Sequence, residues 1–492
     1  MAWPSACALS AEVTSEPAFL ASRERVWVDR PTSLDSFLSE PVDTPLRLAS
    51  QQTEAARPFA ATESSAAASG MANPAATPTT VSGNPAAVNI FAGNGALGDY
   101  LGINRNGFRF SGLNITDANL LASGGLSPGT WLADSLTIAD VSINTEERYG
   151  WTGGLLGAQF LYFGGGPVNE TTGAVMGYNS LDAGPPRYRA EFYELWYRQE
   201  LCDDKLVVRV GKSVPTYDFN NVLRTVPMAD ASANIAAVSS AALTPLYVSP
   251  TMQGIMPGYY NSATGIVATY MPSPKFYAQY GFFDGNLANG VQLGFTGPHF
   301  NGYYLHLAEV GARWTIGAEQ KPGTVGVGGW EQTGILHGLN GLPEDGAQGM
   351  FLFGSQRLTY ARPGESNQGL SSYFQFAASN SGLVPMQRYF GCGLSYNGPL
   401  PGRGSDSAGF SLAYGEINPA INGSATFIPL PDGNVFPLTR PRSTETLLTW
   451  YYQMSMTKNT FFQPNLTYIP DPGRDVNIAG AFAITLRAIV LF

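Results

Sequence analysis

The C-terminal residues alternate without a break. Phe482, Ile484, Leu486, Ala488, Val490 and Phe492 make one apolar face, and Ala481, Ala483, Thr485 and Arg487 make a smaller or more polar one. Residues two apart share a face only on an extended chain, so this period predicts a strand and excludes a helix. Upstream, Leu448, Trp450, Tyr452, Met454 and Met456 alternate with Leu447, Thr449, Tyr451, Gln453 and Ser455, and Phe462, Pro464, Leu466 and Tyr468 alternate with Gln463, Asn465 and Thr467. Thr457-Lys458-Asn459 and Pro470-Asp471-Pro472-Gly473 supply the turns between them.

Which face is apolar matters more than the period. A soluble barrel hides its large residues and shows charge outside. Here the uninterrupted aromatic and aliphatic faces stand opposite faces of small residues, Gln, Asn, Thr and occasional Arg, the arrangement of a barrel whose outside meets lipid. Aromatic residues near strand ends, such as Trp450-Tyr451-Tyr452 and Tyr468, suit the interfacial girdles of such a barrel. Segments of this kind fall near 105–115, 130–144, 151–162, 187–200, 205–212, 264–270, 275–283, 303–316, 324–333, 349–361, 370–379, 388–396, 408–416, 444–456, 460–469 and 479–492, sixteen in all. An even number of antiparallel strands lets the first pair with the last, leaves no open edge in lipid, and encloses a water-filled lumen. The expected fold is all-β: a 16-stranded antiparallel transmembrane β-barrel over residues 92–492, preceded by a disordered N-terminal extension over 1–91.

Composition agrees. Only 13% of residues are charged, against roughly 25% in soluble proteins. Mean hydropathy is −0.05, where a helical membrane protein would be clearly positive. The longest uncharged run, Ala231–Pro274, exceeds the ~20 residues a spanning helix needs but is broken by Asn234, Pro245, Pro250 and Pro257, so it reads as a loop with a short helix near Ala231–Leu243. Residues 1–91 are rich in Ala, Ser, Thr and Pro, and Ala60–Asn89 has no alternation. Glu12 and Glu16 precede any long apolar run, so no signal peptide is recognisable in Met1–Arg30, and a misassigned start codon is the simplest expectation.

The formal charge of −10 repels nucleic acid. Cys7, Cys202 and Cys392 are far apart, with no CxxC pair, and His299, His306 and His337 build no ligand-spaced metal motif. No catalytic residue and no cofactor is expected, and Asp406 with Glu416 is the only carboxylate pair that raises a glycosidase reading.

Charge is concentrated where a lumen could use it. RYRAEFYELWYRQE, Arg187–Glu200, carries Arg187, Arg189, Glu191, Glu194, Arg198 and Glu200, and VVRVGK adds Arg209 and Lys212. Glu309 and Arg313 share a face opposite Ala308, Val310, Ala312 and Trp314, with Gly311 between them making the wall thin. An Arg or Lys at the bilayer midplane costs about 2–4 kcal/mol, so these groups face water or sit near an end. Glu194, Arg198, Arg209, Lys212, Glu309 and Arg313 are the candidate lining of a constriction, where fixed donors and acceptors replace part of a solute's hydration. The alternative is that they pair across neighbouring strands.

Several stretches resemble the carbohydrate-selective outer-membrane porins of the OprB family. GDYLGINRNGF, Gly98–Phe108, is similar to the family's opening Gly-Asp-Trp-Gly-Gly-x-Arg, with Tyr100 in the Trp place and Leu101 replacing the first paired glycine. The most specific stretch is FGCGLSYNGPLPGRGSDSAGFSLAYGE, Phe390–Glu416, and FFQPNLTYIPDPG, Phe461–Gly473, is equally typical. ELWYRQEL and VVRVGK fit the family's early strands. The resemblance covers about 91–492 and implies a passive channel for sugars and polyols in the outer membrane of a Gram-negative bacterium, without enzyme activity or cofactor. It also implies that the terminal Phe492 is read by the barrel-insertion machinery, and by analogy with other porins a homo-oligomer. Two other classes share parts of the pattern, an outer-membrane barrel enzyme and a soluble β-rich carbohydrate-binding protein. The absence of a Ser, His and acid constellation disfavours the enzyme.

Overall fold

The alternating segments become strands that pair in chain order. The computed structural model describes residues 93–492 except 180, 183–186, 204, 221–248, 258–260, 292–296, 363–367 and 431–432. The expectations for residues 1–91 and for a helix near Ala231–Leu243 lie outside the described residues. The strands are β1 Phe108–Gly125, β2 Trp131–Asn144, β3 Gly154–Gly165, β4 Tyr188–Leu201, β5 Leu206–Ser213, β6 Ala263–Ser273, β7 Phe276–Asp284, β8 Tyr304–Ile316, β9 Lys321–His337, β10 Pro343–Arg357, β11 Gly369–Ser379, β12 Met386–Asn397, β13 Ser407–Ile417, β14 Phe427–Pro429, β15 Val435–Pro437, β16 Thr444–Ser455, β17 Thr460–Ile469 and β18 Ala479–Leu491. Short helices cover α1 Ala96–Tyr100, α2 Thr145–Tyr149 and α3 Pro215–Asp218.

The sheet closes in the order β1-β18-β17-β16-β13-β12-β11-β10-β9-β8-β7-β6-β5-β4-β3-β2, while β14 and β15 form a separate hairpin between β13 and β16. Each of the sixteen expected segments coincides with a barrel strand. The largest departure is β1, expected near 105–115 and extending to Gly125. Its second half carries Asp117 and Asn119 on the inner face, where they are satisfied by β2 and β18. Asn119 donates to Asp134, and Asp117 accepts two bonds from Arg487 Nε and Nη2, each 2.7 Å. That pair lies at the seam, where Asp117 stands opposite Arg487.

The outward parity is the apolar one. Leu156, Phe160, Tyr162, Leu195, Val210, Ile266, Tyr270, Val310, Val327, Met350, Phe390, Leu394, Trp450, Leu466 and Val490 are exposed large apolar residues of the wall. This is the band that meets hydrocarbon. At the C-terminus, Phe492 continues the seam: its N–H donates to Gly112 O at 2.8 Å and its carbonyl accepts from Gly112 N at 2.7 Å. A Cβ on Gly112 would stand 2.2 Å from the Phe492 ring, so glycine is required there by close approach.

The two ends of the barrel differ. Turns on the side of the chain termini are short, such as 274–275 and 317–320, while the opposite side carries the connections 166–187, 214–262, 285–303 and 418–443. Two of these enter the barrel. Phe219, Met252, Ile255 and Met256 of the 214–262 connection pack on Phe283, Leu305, Leu307, Trp330, Phe351 and Phe353 of the inner wall. Val168, Met176 and Tyr178 of the 166–187 connection pack with Leu121, Met386, Tyr389 and Leu447. The inner face is therefore more apolar, and the lumen narrower, than sixteen strands alone imply.

Candidate functional site

The charged strand β4 poses a problem of parity, because Arg189 and Glu191 are odd while Glu194, Arg198 and Glu200 are even. A bulge resolves it. Gln159 of β3 pairs with Glu194, but the next residue, Phe160, pairs with Phe192, so Tyr193 is the extra residue. An extra residue reverses the facing of everything beyond it. Arg189, Glu191 and Tyr193 on one side of the bulge, and Glu194, Trp196 and Arg198 on the other, are all buried inside.

On β5, Arg209 also faces inward and stands directly opposite Arg198. Like charges in that position repel. Each is neutralised elsewhere: Arg198 Nη2 lies 2.8 Å from Glu200 Oε1, and Arg209 forms an ion pair with Asp218 of α3 while its guanidinium carbon sits 5.6 Å from the Trp196 ring centroid. Lys212 is a correction to the sequence reading. It is paired with Leu195 and Thr264 on the outer parity, and its ammonium donates to Phe192 O at 2.7 Å beside the bulge. It does not line the lumen.

Glu194, Arg209 and Glu309 meet the same element, the opening of the 214–262 connection. Pro215 starts α3, where its fixed φ suits the first helical turn. Glu194 Oε1 accepts from Val214 N at 3.0 Å, and Glu309 Oε2 accepts from Asn220 N at 2.7 Å. Gln279 Nε2 donates to Asp218 O at 2.7 Å, and Gln375 Nε2 donates to Asn220 O at 3.0 Å. Six strand spacings separate β5 from β11, about 29 Å along the wall at ~4.8 Å each, while seven residues reach at most about 25 Å even when extended. The segment therefore cuts across the lumen. Its returning end is held too, with Arg189 Nη2 donating to Asn261 Oδ1 at 3.2 Å.

Glu309 is further braced by its own wall. Its Oε1 accepts from Tyr277 OH and Gln279 Nε2, both at 2.9 Å. The Tyr277 ring occupies the space over Gly311, where a Cβ would stand 2.2 Å from it, so the wall is filled there rather than thin. Arg313 faces inward, paired with Thr324, and is half-buried. Of the six candidates, Glu194, Arg209 and Glu309 converge on one inward segment, Arg198 stands beside them, Arg313 lies further along β8 toward the terminal end, and Lys212 is on the outside. Gln279 and Gln375 belong to the same arrangement and carried no sequence signal, since a single amide on an alternating strand looks like any other polar position. Arg357, buried on β10 with Nη1 3.0 Å from Ser371 Oγ, was missed likewise.

Described residues of the 166–187 connection are anchored to another part of the wall. Glu445 at the start of β16 accepts from Val175 N, Met176 N and Gly473 N at 2.8, 2.8 and 2.6 Å, joining two connections through one buried carboxylate. Asn179 Nδ2 donates to Asp117 Oδ2 at 3.0 Å and to Asn119 Oδ1 at 2.7 Å. Within this connection Asp182 accepts from Asn169 N at 2.6 Å and from Arg187 Nη1 at 3.0 Å, yet burial outweighs both and pushes its carboxyl up to about 6. The Asp406 and Glu416 carboxylates do not form a hydrolytic pair. They sit at opposite ends of β13, roughly 33 Å apart along the strand against the ~5–10 Å that glycosidases use. Asp406 instead accepts from Arg403 Nε and Tyr452 OH, so Arg403 closes its own turn.

Residues 137–492 match the family model described as carbohydrate-selective porin, OprB family. The chain belongs to that family. This OprB-family porin is an outer-membrane β-barrel channel for sugars, and its family is one of channels rather than of enzymes. Gly98–Phe108 and β1 precede the matched residues, so the resemblance noted there stands on the sequence alone. Among solved structures, a high-pH structure of Pseudomonas putida OprB is similar at 20% identity and a TM-score of 0.64, covering 80% of this chain and 96% of that one. A low-pH structure of the same protein gives 15% identity and a TM-score of 0.49, covering 82% and 99%. The outer-membrane channel DcaP of Acinetobacter baumannii gives 8% and 0.44, covering 82% and 100%. No curated protein matches the sequence.

Proposed function

We propose that this porin passes sugars and polyols by passive diffusion across the outer membrane of a Gram-negative bacterium, and that it selects them where the 214–262 connection crosses the lumen. The observation that carries this reading is the set of wall side chains, Glu194, Arg209, Gln279, Glu309 and Gln375, that grip residues 214–220 from β4, β5, β7, β8 and β11. Their work is to position the segment, because each holds it by a hydrogen bond or an ion pair. Arg313 faces inward from β8, half-buried and toward the terminal end, and this reading assigns solute contact to it. A sugar has hydroxyls and no charge, so a guanidinium can replace part of its hydration, each contact contributing about 0.5–3 kcal/mol, and binding stays weak enough for flux. Outer-membrane lipid and the barrel-insertion machinery are the partners this reading requires.

Single-channel conductance in planar bilayers with sugars of increasing size tests it. Arg313→Ala weakens sugar block of the ion current and shifts selectivity toward cations, since a positive lumen charge is lost. Unchanged block and reversal potential in that variant would place solute contact elsewhere.

A further inference from the structure

The rim on the side of the short turns, the periplasmic side of such a barrel, becomes basic where α2 meets the entry to β1. Arg105 and Phe108 exchange two backbone hydrogen bonds, at 3.0 and 3.1 Å, across Asn106 and Gly107, whose φ angles are 51° and 77°. Asn-Gly in left-handed backbone makes a tight turn, and the turn fixes where Arg105 stands. Gly107 O accepts from Asn144 N at 2.8 Å, and a Cβ on Gly107 would stand 3.1 Å from Glu147 Cβ and 3.2 Å from Arg148 N, so the turn lies directly against α2. Close approach at one glycine thus brings Arg105 and Arg148 together from two separate connections. They line a cavity of about 410 Å³ with Ile103, Phe108, Ile143 and Tyr149. Its floor belongs to the last outward row of the wall: Phe108 stands opposite Ile143, Ile143 opposite Leu156, and Leu156 opposite Tyr197, whose ring meets that of Trp151 at 5.8 Å. Tyr149 and Trp151 are 68% and 60% exposed beside it.

We propose that this cavity seats one anionic glycerophospholipid, with its phosphate between Arg105 and Arg148 and its acyl chains on the row of Phe108 and Ile143. The floor is continuous with the lipid-facing wall and the arginines stand at its edge, so the occupant is apolar toward the bilayer centre and anionic toward water. Neither guanidinium has an ion-pair or hydrogen-bond partner among the described residues. The nearby acids do not neutralise them: Asp99 accepts from Asn104 Nδ2 at 2.7 Å, and Glu146 and Glu147 adjoin Arg148 on a helix, where side chains one or two apart do not face each other. Paired N–H donors of a guanidinium match phosphate oxygens, whereas a zwitterionic headgroup would bring an ammonium up to two cations. Tyr149 and Trp151 have the amphipathic rings that settle at headgroup depth. A soluble anionic peptide fits less well, because it would have to displace hydrocarbon from the floor. The inference requires that the wall face lipid, and it is independent of which solute the lumen prefers.

The test is native mass spectrometry of the full chain in mild detergent with dioleoylphosphatidylglycerol or dioleoylphosphatidylcholine added, which counts lipid retained per barrel. The parent retains one phosphatidylglycerol in preference to phosphatidylcholine. Arg105→Gln and Arg148→Gln each weaken that retention about fivefold, the effect of one basic residue at an anionic headgroup, and the two together remove the preference. Arg105→Lys with Arg148→Lys keeps both charges and most of the binding, and Arg388→Gln, which removes an outward arginine near the opposite rim, changes nothing. Dihexanoylphosphatidylglycerol, with the same headgroup and little chain, binds more weakly than the dioleoyl lipid. Heat-modifiable mobility reports that each variant is folded. Equal retention of the two dioleoyl lipids, undiminished phosphatidylglycerol in the double Gln variant, or displacement by inorganic phosphate with no dependence on chain length would each overturn the proposal. Changes in sugar block would bear on the lumen and leave this result untouched.

Discussion

Replacing Glu309 with Ala tests whether the segment crossing the lumen is held in place by the wall. The carboxylate accepts three hydrogen bonds in a site where it is 3% exposed, two from its own wall and one, at 2.7 Å, from Asn220 N of the inward segment. A hydrogen bond to a charged group contributes about 1.5–3 kcal/mol, so losing the Asn220 bond alone raises the population with this stretch lifted by roughly ten- to a hundredfold. The segment does not come free, because Arg209, Glu194, Gln279 and Gln375 still hold it. The expected phenotype is a folded barrel with noisier single-channel currents, a higher mean conductance and a larger sugar size limit. Glu309→Gln, which keeps one acceptor, falls between Ala and the parent. If Glu309→Ala matches the parent in conductance, noise and size limit while retaining heat-modifiable mobility, the grip on residues 214–220 does not set the constriction.

Two further outcomes follow from the geometry. Deleting Phe492 removes both seam hydrogen bonds to Gly112 and the ring packed over it, so the yield of heat-modifiable barrel in the outer membrane falls; an unchanged yield refutes this. Asp182 holds its proton more tightly in the packed 166–187 connection than in a free chain, so that packing is weakest above pH 6 and strengthens as pH falls from about 6 toward the ordinary carboxylate value near 4. Amide-exchange protection at residues 169–182 rises over that interval and the dependence flattens in Asp182→Asn; protection that falls instead would reverse the assignment.

The strands were legible because lipid outside and polar groups inside impose a period of two that any reader of Phe482–Phe492 can see. What the period conceals is any residue that breaks it. Tyr193 adds one residue to β4 and puts Arg189 and Arg198 on the same side although their numbers have opposite parity, and Lys212 looks inward by composition although pairing with Leu195 turns it out. The roles of Glu194, Arg209 and Glu309 were half legible: their inward facing follows from charge, but their partners are Val214, Asp218 and Asn220 on a connection whose path no local pattern encodes. Gln279 and Gln375 became meaningful only once that path was known.

The Asp117–Arg487 pair bears on how the ring is sealed. A closing sheet can slide by two residues without changing which side chains face in, so alternation alone accepts several closures. A slide of two would leave Arg487 opposite Ile115 or Asn119, and a buried charge stripped of its partner costs about 3–5 kcal/mol. One bidentate pair at the join of the first and last strands thus penalises neighbouring misalignments. The pair acts as a proofreading mark for the shear of the whole cylinder, fixing its circumference and tilt from a single point inside the wall.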